Sequence, residues 1–185
     1  FANSVVAFDV RNKKKLWHFQ ETCHDIWNLD IPAPPILTTI YKNETRIDVV
    51  VAVTKLGNTI ILDRFSGEPI FDYEMKLAPT SKLPGEKTCE YQPSIKLPEP
   101  FARNVFKKED VTNRSQANRE YVMSVVNNSN YGFFPTHELN KYTIVYYFSL
   151  ISMIFDNKLD VKLYYENLKK YKNNDINFYR KKNFL

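Results

Sequence analysis

The chain has 185 residues, 43% hydrophobic and 25% charged, with a formal net charge of +5 and a pI near 9.0. That length suits one domain with a sizeable core, and no apolar run reaches the ~20 residues of a membrane-spanning helix. The basic residues are unevenly placed, with a short basic turn at Arg11–Lys15 and most of the late excess between Lys158 and Lys182, a pattern of solvated faces that argues against nucleic acid as a partner.

The chain opens on Phe1 inside a strand pattern, as expected of an internal piece of a longer protein. In chain order, "SVVAFDV" (4–10), "KLWHFQ" (15–20), "IDVVVAVT" (47–54) and "NTIILDR" (58–64) read as strands. Each is short, rich in β-branched and aromatic residues, and bounded by turn residues. A helix is expected from about Lys108 to Val126, with Asp110, Thr112 and Asn113 as candidate caps and an apolar face of Tyr121, Val122, Val125 and Val126. Cys23 and Cys89 lie far apart without metal-ligand spacing. Two cysteines suit neither a disulfide framework nor a zinc site, which leaves the redox compartment open.

All ten prolines and all four glycines fall within the first 135 residues. From Lys141 onward the chain is dominated by Lys, Asn, Tyr, Ile and Phe, without Gly, Pro, Ala, Cys, Trp or His. So sharp a shift divides the chain into 1–135 and a tail, 136–185. The tail has two readings. It is a helix striped by Leu163, Tyr164, Leu168 and Tyr171, or a translation of AT-rich sequence such as a frameshifted end. The composition favours the second, because the bias covers core and surface positions alike.

"AFDVRNKKKLW" (7–17) and "ILDRFSGEPIF" (61–71) align without a gap at an offset of 54 residues. Asp9 meets Asp63 and Trp17 meets Phe71, each unit reading as strand, tight turn, strand. The Asp can bond the backbone N–H groups of its own turn, and Gly67 can supply a positive φ. Two unrelated hairpins would also produce such segments. A period near 50 with several strands per unit fits the blades of a β-propeller better. About two such blades would leave lateral faces uncovered.

The remaining feature is "HDIWNLDIPAPP" (24–35), polar and aromatic groups followed by three prolines. Together with "LWHFQETC" before it and "VTKLGNTIILDRFSGEP" after it, this stretch resembles the quinoprotein dehydrogenases that use pyrroloquinoline quinone (PQQ), particularly the glucose dehydrogenase type. The likeness runs from about Ser4 to Pro135; after "FFPTHELNKY" the family's glycine-rich strands do not follow. It implies an all-β fold, about two blades of an eight-bladed propeller. It also implies oxidation of a small alcohol or sugar, PQQ and Ca²⁺ as cofactors, a quinone or cytochrome electron acceptor, and a periplasmic or other extracytoplasmic location.

Site residues follow from the same resemblance. The family's catalytic aspartate directly follows the motif's Trp, a position held here by Asn28. An amide cannot act as a base. Either the role passes to Asp30, or the chain is an inactive relative or a non-catalytic propeller scaffold. Asp30 is also the metal-ligand candidate, while Asp25 and Asp30 could equally be turn caps. Lys55, 27 residues after Asn28, corresponds to a lysine that contacts the quinone oxygens. His24 reads as a structural hydrogen-bonding residue, His18 as packing beside Trp17, and Trp17 and Trp27 as core; His137 falls where the likeness ends and carries no weight.

Overall fold

The structure is a computed structural model that describes residues 1–145. The readings of the tail beyond Val145 lie outside the described residues. Strands β1 (Ser4–Asp9) and β2 (Lys14–Gln20) form an antiparallel hairpin. Strands β3 (Ile36–Lys42), β4 (Thr45–Val53) and β5 (Thr59–Asp63) form an antiparallel sheet in sequence order. A bridge from Leu62 to Pro69 starts a further return. Two smaller pairs follow, β6 (Glu74–Leu77) with β7 (Tyr91–Ser94), and β8 (Ser129–Asn130) with β9 (Tyr142–Thr143). Together they are a fragment of a propeller: small sheets with one helix, and no closed barrel among the described residues.

The two aspartate turns are built alike. Asp9 Oδ1 accepts from the N–H groups of Arg11 (2.9 Å) and Asn12 (3.1 Å). Asp63 Oδ1 accepts from Phe65 (2.9 Å) and Ser66 (2.8 Å). The left-handed position of each turn is Lys13 (φ 52°) and Gly67 (φ 76°), again 54 residues apart. The units differ in what lies against that position. Trp17, carried by β2, packs on Gly67, where an added Cβ would sit 2.5 Å from the indole, and its Nε1 donates to the Arg64 carbonyl at 3.2 Å. Trp17 thus joins the first hairpin to the second sheet, in a core with Val5, Phe19, Val50, Ala52, Ile60 and Leu62.

Gly67→Ala is therefore expected to cost at least ~2 kcal/mol, combining a left-handed penalty with overpacking against the indole. Lys13→Gly, at the equivalent φ without that contact, should be neutral or stabilising by up to ~1 kcal/mol. Urea denaturation of the two variants checks the contrast.

Strand β3 was not expected from the sequence. Its side chains are mostly exposed, with Ile36, Leu37 and Tyr41 among the open apolar groups, so no inward alternation marks it. The local signal lay in the Asn43-Glu44 pair, both at positive φ (51° and 63°), as a two-residue hairpin turn requires. The helix also starts later than expected. Residues Lys108–Asp110 make a single 3₁₀ turn, because the Asp110 carboxylate accepts from the Lys107 N–H (2.9 Å) and pairs with Arg103 (2.5 Å). Helix α1 spans Gln116–Asn127 and is capped by Ser115, whose Oγ accepts from the Asn118 N–H at 3.1 Å. Val122 and Val126 are its buried face.

The two cysteines form a disulfide, Cys23–Cys89, with Cα atoms 5.9 Å apart. In the sequence the two cysteines suited no disulfide framework; register is what pairs them. Pairing of β6 with β7 carries Cys89 back to the end of β2, and the buried Gln92 side chain then bonds both the N–H and the carbonyl of Cys23 at 2.8 Å.

Candidate functional site

Residues 24–35 contain no strand, so strand alternation is not what puts Asn28 and Asp30 on one side. A different device aligns them. Asp25 organises the loop: its Oδ1 accepts from the Trp27 N–H (2.8 Å), and its Oδ2 accepts from the Leu29 N–H and from Asn3 Nδ2 (2.7 Å each). Asp25 is thus a turn cap. Trp27 and Leu29 are driven inward, where they pack with Leu56, Ala78 and Phe134, and Trp27 Nε1 donates to the Pro135 carbonyl at 2.6 Å. Asn28 and Asp30, lying between and beyond these anchors, are left on the outer side, both exposed. Asn28 takes φ 61°, a left-handed conformation that asparagine tolerates better than most residues.

Lys55 reaches this outer side from a tight turn that joins β4 to β5. The Thr54 N–H donates to the Asn58 carbonyl (3.1 Å) and the Gly57 N–H to the Thr54 carbonyl (3.0 Å). Gly57 has φ 77°, and a Cβ there would lie 2.8 Å from the Ala102 carbonyl oxygen, so the turn admits no larger residue. From it the Lys55 ammonium donates to Asp30 Oδ2 at 2.6 Å and to the Asn28 carbonyl at 3.0 Å. With its amide oriented to complement the carboxylate, Asn28 donates to Asp30 at 3.2 and 3.3 Å. Asn28, Asp30 and Lys55 are therefore one cluster. Asp30 is an ion-pair partner, not a cap.

The donor set can be weighed against the groups the family resemblance implies. Lys55 has three N–H groups and directs two at Asn28 and Asp30, leaving one for an anionic or carbonyl oxygen of a ligand. That suits a quinone carrying carboxylates. Calcium fits less well at Asp30, whose carboxylate already holds a lysine. Among the described residues, no group of three His, Cys, Asp or Glu side chains could hold a metal ion.

The histidines are peripheral to the cluster. His18 is exposed and meets the Phe1 ring edge-on, while His24 is exposed in a left-handed conformation (φ 49°). His137 lies 2.9 Å from Glu86. Behind the loop is a cleft of about 280 Å³ whose lining includes Trp27, Leu56, Asn58, Lys76 and Phe134.

Sequence reasoning missed Glu21. It is fully buried, accepting from Thr54 Oγ1 (2.8 Å) and Asn58 Nδ2 (2.9 Å), the two residues that bound the Lys55 turn. Burial pushes its carboxyl up to about 7, against the opposing pull of those two hydrogen bonds, and the Asp25 charge adds to the rise. No local signal marks it, because its partners lie 33 and 37 residues away.

Residues 1–151 match the family described as glucose/ethanol/alcohol dehydrogenase, β-propeller domain. The chain is 33% identical over 97 residues to quinoprotein glucose dehydrogenase of Escherichia coli K12, covering 52% of this chain and 12% of that protein. To quinoprotein glucose dehydrogenase A of Acinetobacter calcoaceticus it is 37% identical over 90 residues, covering 48% of this chain and 11% of that protein. To quinate/shikimate dehydrogenase (quinone) of Acinetobacter baylyi it is 29% identical over 113 residues, covering 60% and 14%. The chain thus spans less than a sixth of the length of these relatives.

Proposed function

Because the chain belongs to the β-propeller family of quinoprotein glucose, ethanol and alcohol dehydrogenases, we propose that it is the part of a PQQ-dependent dehydrogenase that presents Lys55 to the quinone and Asp30 to an alcohol or aldose substrate. The observation that supports this reading is the meeting of Lys55 with Asn28 and Asp30 across 27 and 25 residues of chain. A bound quinone supplies the two-electron, hydride-accepting chemistry. Lys55 would hold a quinone oxygen through its remaining N–H, a position from which a cation favours negative charge on that oxygen. Asp30, held by Lys55, accepts the substrate hydroxyl proton as general base. Asn28 orients that carboxylate through its amide. No step is assigned to calcium, since Asp30 is already occupied by Lys55.

The propeller segment in this reading is 1–135, and the electrons leave to a quinone or cytochrome acceptor. An extracytoplasmic location agrees with the Cys23–Cys89 disulfide, which persists in oxidising compartments. Among the described residues no helix is long and apolar enough to cross a membrane.

The test is a PQQ titration of the full-length protein followed by tryptophan fluorescence. Lys55→Ala should weaken quinone binding at least ~10-fold, the loss of one charge-assisted hydrogen bond of about 1.5–3 kcal/mol. Unchanged affinity would remove Lys55 from the site. Absence of quinone binding by the wild-type protein would leave the scaffold reading.

A further inference from the structure

Glu21 Oε2 and Asn58 Oδ1 are both buried and without a hydrogen-bond partner, although the other atoms of the same two groups are joined by the 2.9 Å bond from Asn58 Nδ2 to Glu21 Oε1. Thr22 Oγ1, on the next residue of the chain, is also buried and unpartnered. Buried polar atoms are seldom left so. A carboxylate and an amide that already share one such bond can share a second only if one of the two remaining acceptors gains a proton. One proton on the carboxyl converts this arrangement into a cyclic acid–amide pair, in which Oε2–H donates to Oδ1 and both orphans are satisfied.

We propose that Glu21 is a positioning residue for Lys55: protonated, it closes a cyclic pair with Asn58 and clamps the Thr54–Asn58 turn, and loss of that proton loosens the turn that carries the lysine. The geometry supports this from both ends of the turn. Glu21 Oε1 receives Thr54 Oγ1 at 2.8 Å at one end and Asn58 Nδ2 at the other. Thr54 Oγ1 in turn accepts from the Asn58 N–H at 3.3 Å. Lys55 directs its ammonium away, to Asp30, so it does not neutralise Glu21. Asp25, the other charged group acting on Glu21, is negative and favours the proton. Cys23, two residues on, is in the disulfide and does not titrate.

The sign follows from a folded-state value of about 7 against an ordinary 4.5. The native state holds a proton that the unfolded chain has released, so stability falls as pH rises between these values and levels off above about 7. The role as a positioning residue for a quinone-contacting lysine rests on the proposed function; the proton clamp itself does not.

The experiment uses the full-length protein, wild type and Glu21→Gln, because glutamine imitates the protonated acid and its amide can donate to Asn58 Oδ1. First, the Glu21 side-chain carboxyl is titrated by ¹³C NMR, alongside hydrogen exchange of the Gly57 and Asn58 amides. The ratio of wild-type to Glu21→Gln exchange rates should be near 1 at about pH 5 and rise at least ~5-fold by about pH 8, since a broken clamp raises local opening. Second, quinone affinity should fall at least ~3-fold over the same pH range in the wild type and stay level in Glu21→Gln, as linkage to one proton requires. A carboxyl that titrates at its ordinary value, or a variant that keeps the wild-type pH dependence of exchange, would overturn the clamp. An intact clamp with quinone affinity equally pH-dependent in both proteins would overturn the positioning role. Failure of quinone to bind at any pH would count against the proposed function alone, because the first pair of measurements still decides the clamp.

Discussion

Asn28→Asp is expected to raise turnover of the quinone-loaded, full-length protein at least ~100-fold, the lower end of what a positioned general base contributes. The Asn28 backbone carbonyl already sits 3.0 Å from the Lys55 ammonium, and its side chain lies 3.2 Å from Asp30. A carboxylate in place of the amide would therefore share the site with Asp30. Two carboxylates at that separation do not ionise independently; they titrate in two steps, with the upper one raised. A base whose pKa approaches the working pH transfers protons more effectively. Lys55 compensates the added charge. The companion variant is Asp30→Asn in the wild-type background, which removes the carboxylate and should lower the rate at least ~100-fold. Steady-state dye reduction with reconstituted cofactor measures both. If Asn28→Asp leaves the rate unchanged while Asp30→Asn abolishes it, Asp30 is the whole of the base and the shared-proton argument fails.

Removing the disulfide should be the largest stability effect. Cys23 and Cys89 close a loop with a sequence separation of 66 residues, for which the chain-entropy model gives about 4 kcal/mol. The loop encloses β3, β4, β5 and the Lys55 turn, so the unfolded chain gains freedom over the whole site segment when the bond is cut. Gln92 keeps its two bonds to the Cys23 backbone, which limits damage to the folded state. A Cys23→Ser/Cys89→Ser double variant should therefore keep its fold under mild conditions and unfold at a clearly lower urea midpoint. Equal midpoints for the oxidised and double-variant proteins would show that the bond does not constrain the unfolded chain as assumed.

How much of this was legible beforehand depended on the reach of each interaction. Strands β1, β2, β4 and β5 and the two aspartate turns were readable, because their signals are local. An Asp accepting from N–H groups two and three residues on depends on nothing outside its turn. The family likeness reached further: it pointed to Asn28, Asp30 and Lys55, whose meeting depends on a loop held by Asp25 and on the turn that carries Lys55.

What lay beyond the sequence was set by tertiary packing. Helix α1 starts at Gln116 because Asp110 is drawn to Lys107 and Arg103, and Ser115 is then the cap that remains. Cys23 finds Cys89 through the register of β6 on β7. Glu21 is a strand-end residue that would ordinarily face water; it is buried because the β4–β5 turn closes over it and offers Thr54 and Asn58 in compensation. Local chemistry determined the turns and strands of this chain. The partners of Cys23, Glu21 and Lys55 were decided by sheet register, which brings together residues 25 to 66 positions apart whose types carry no mark of one another.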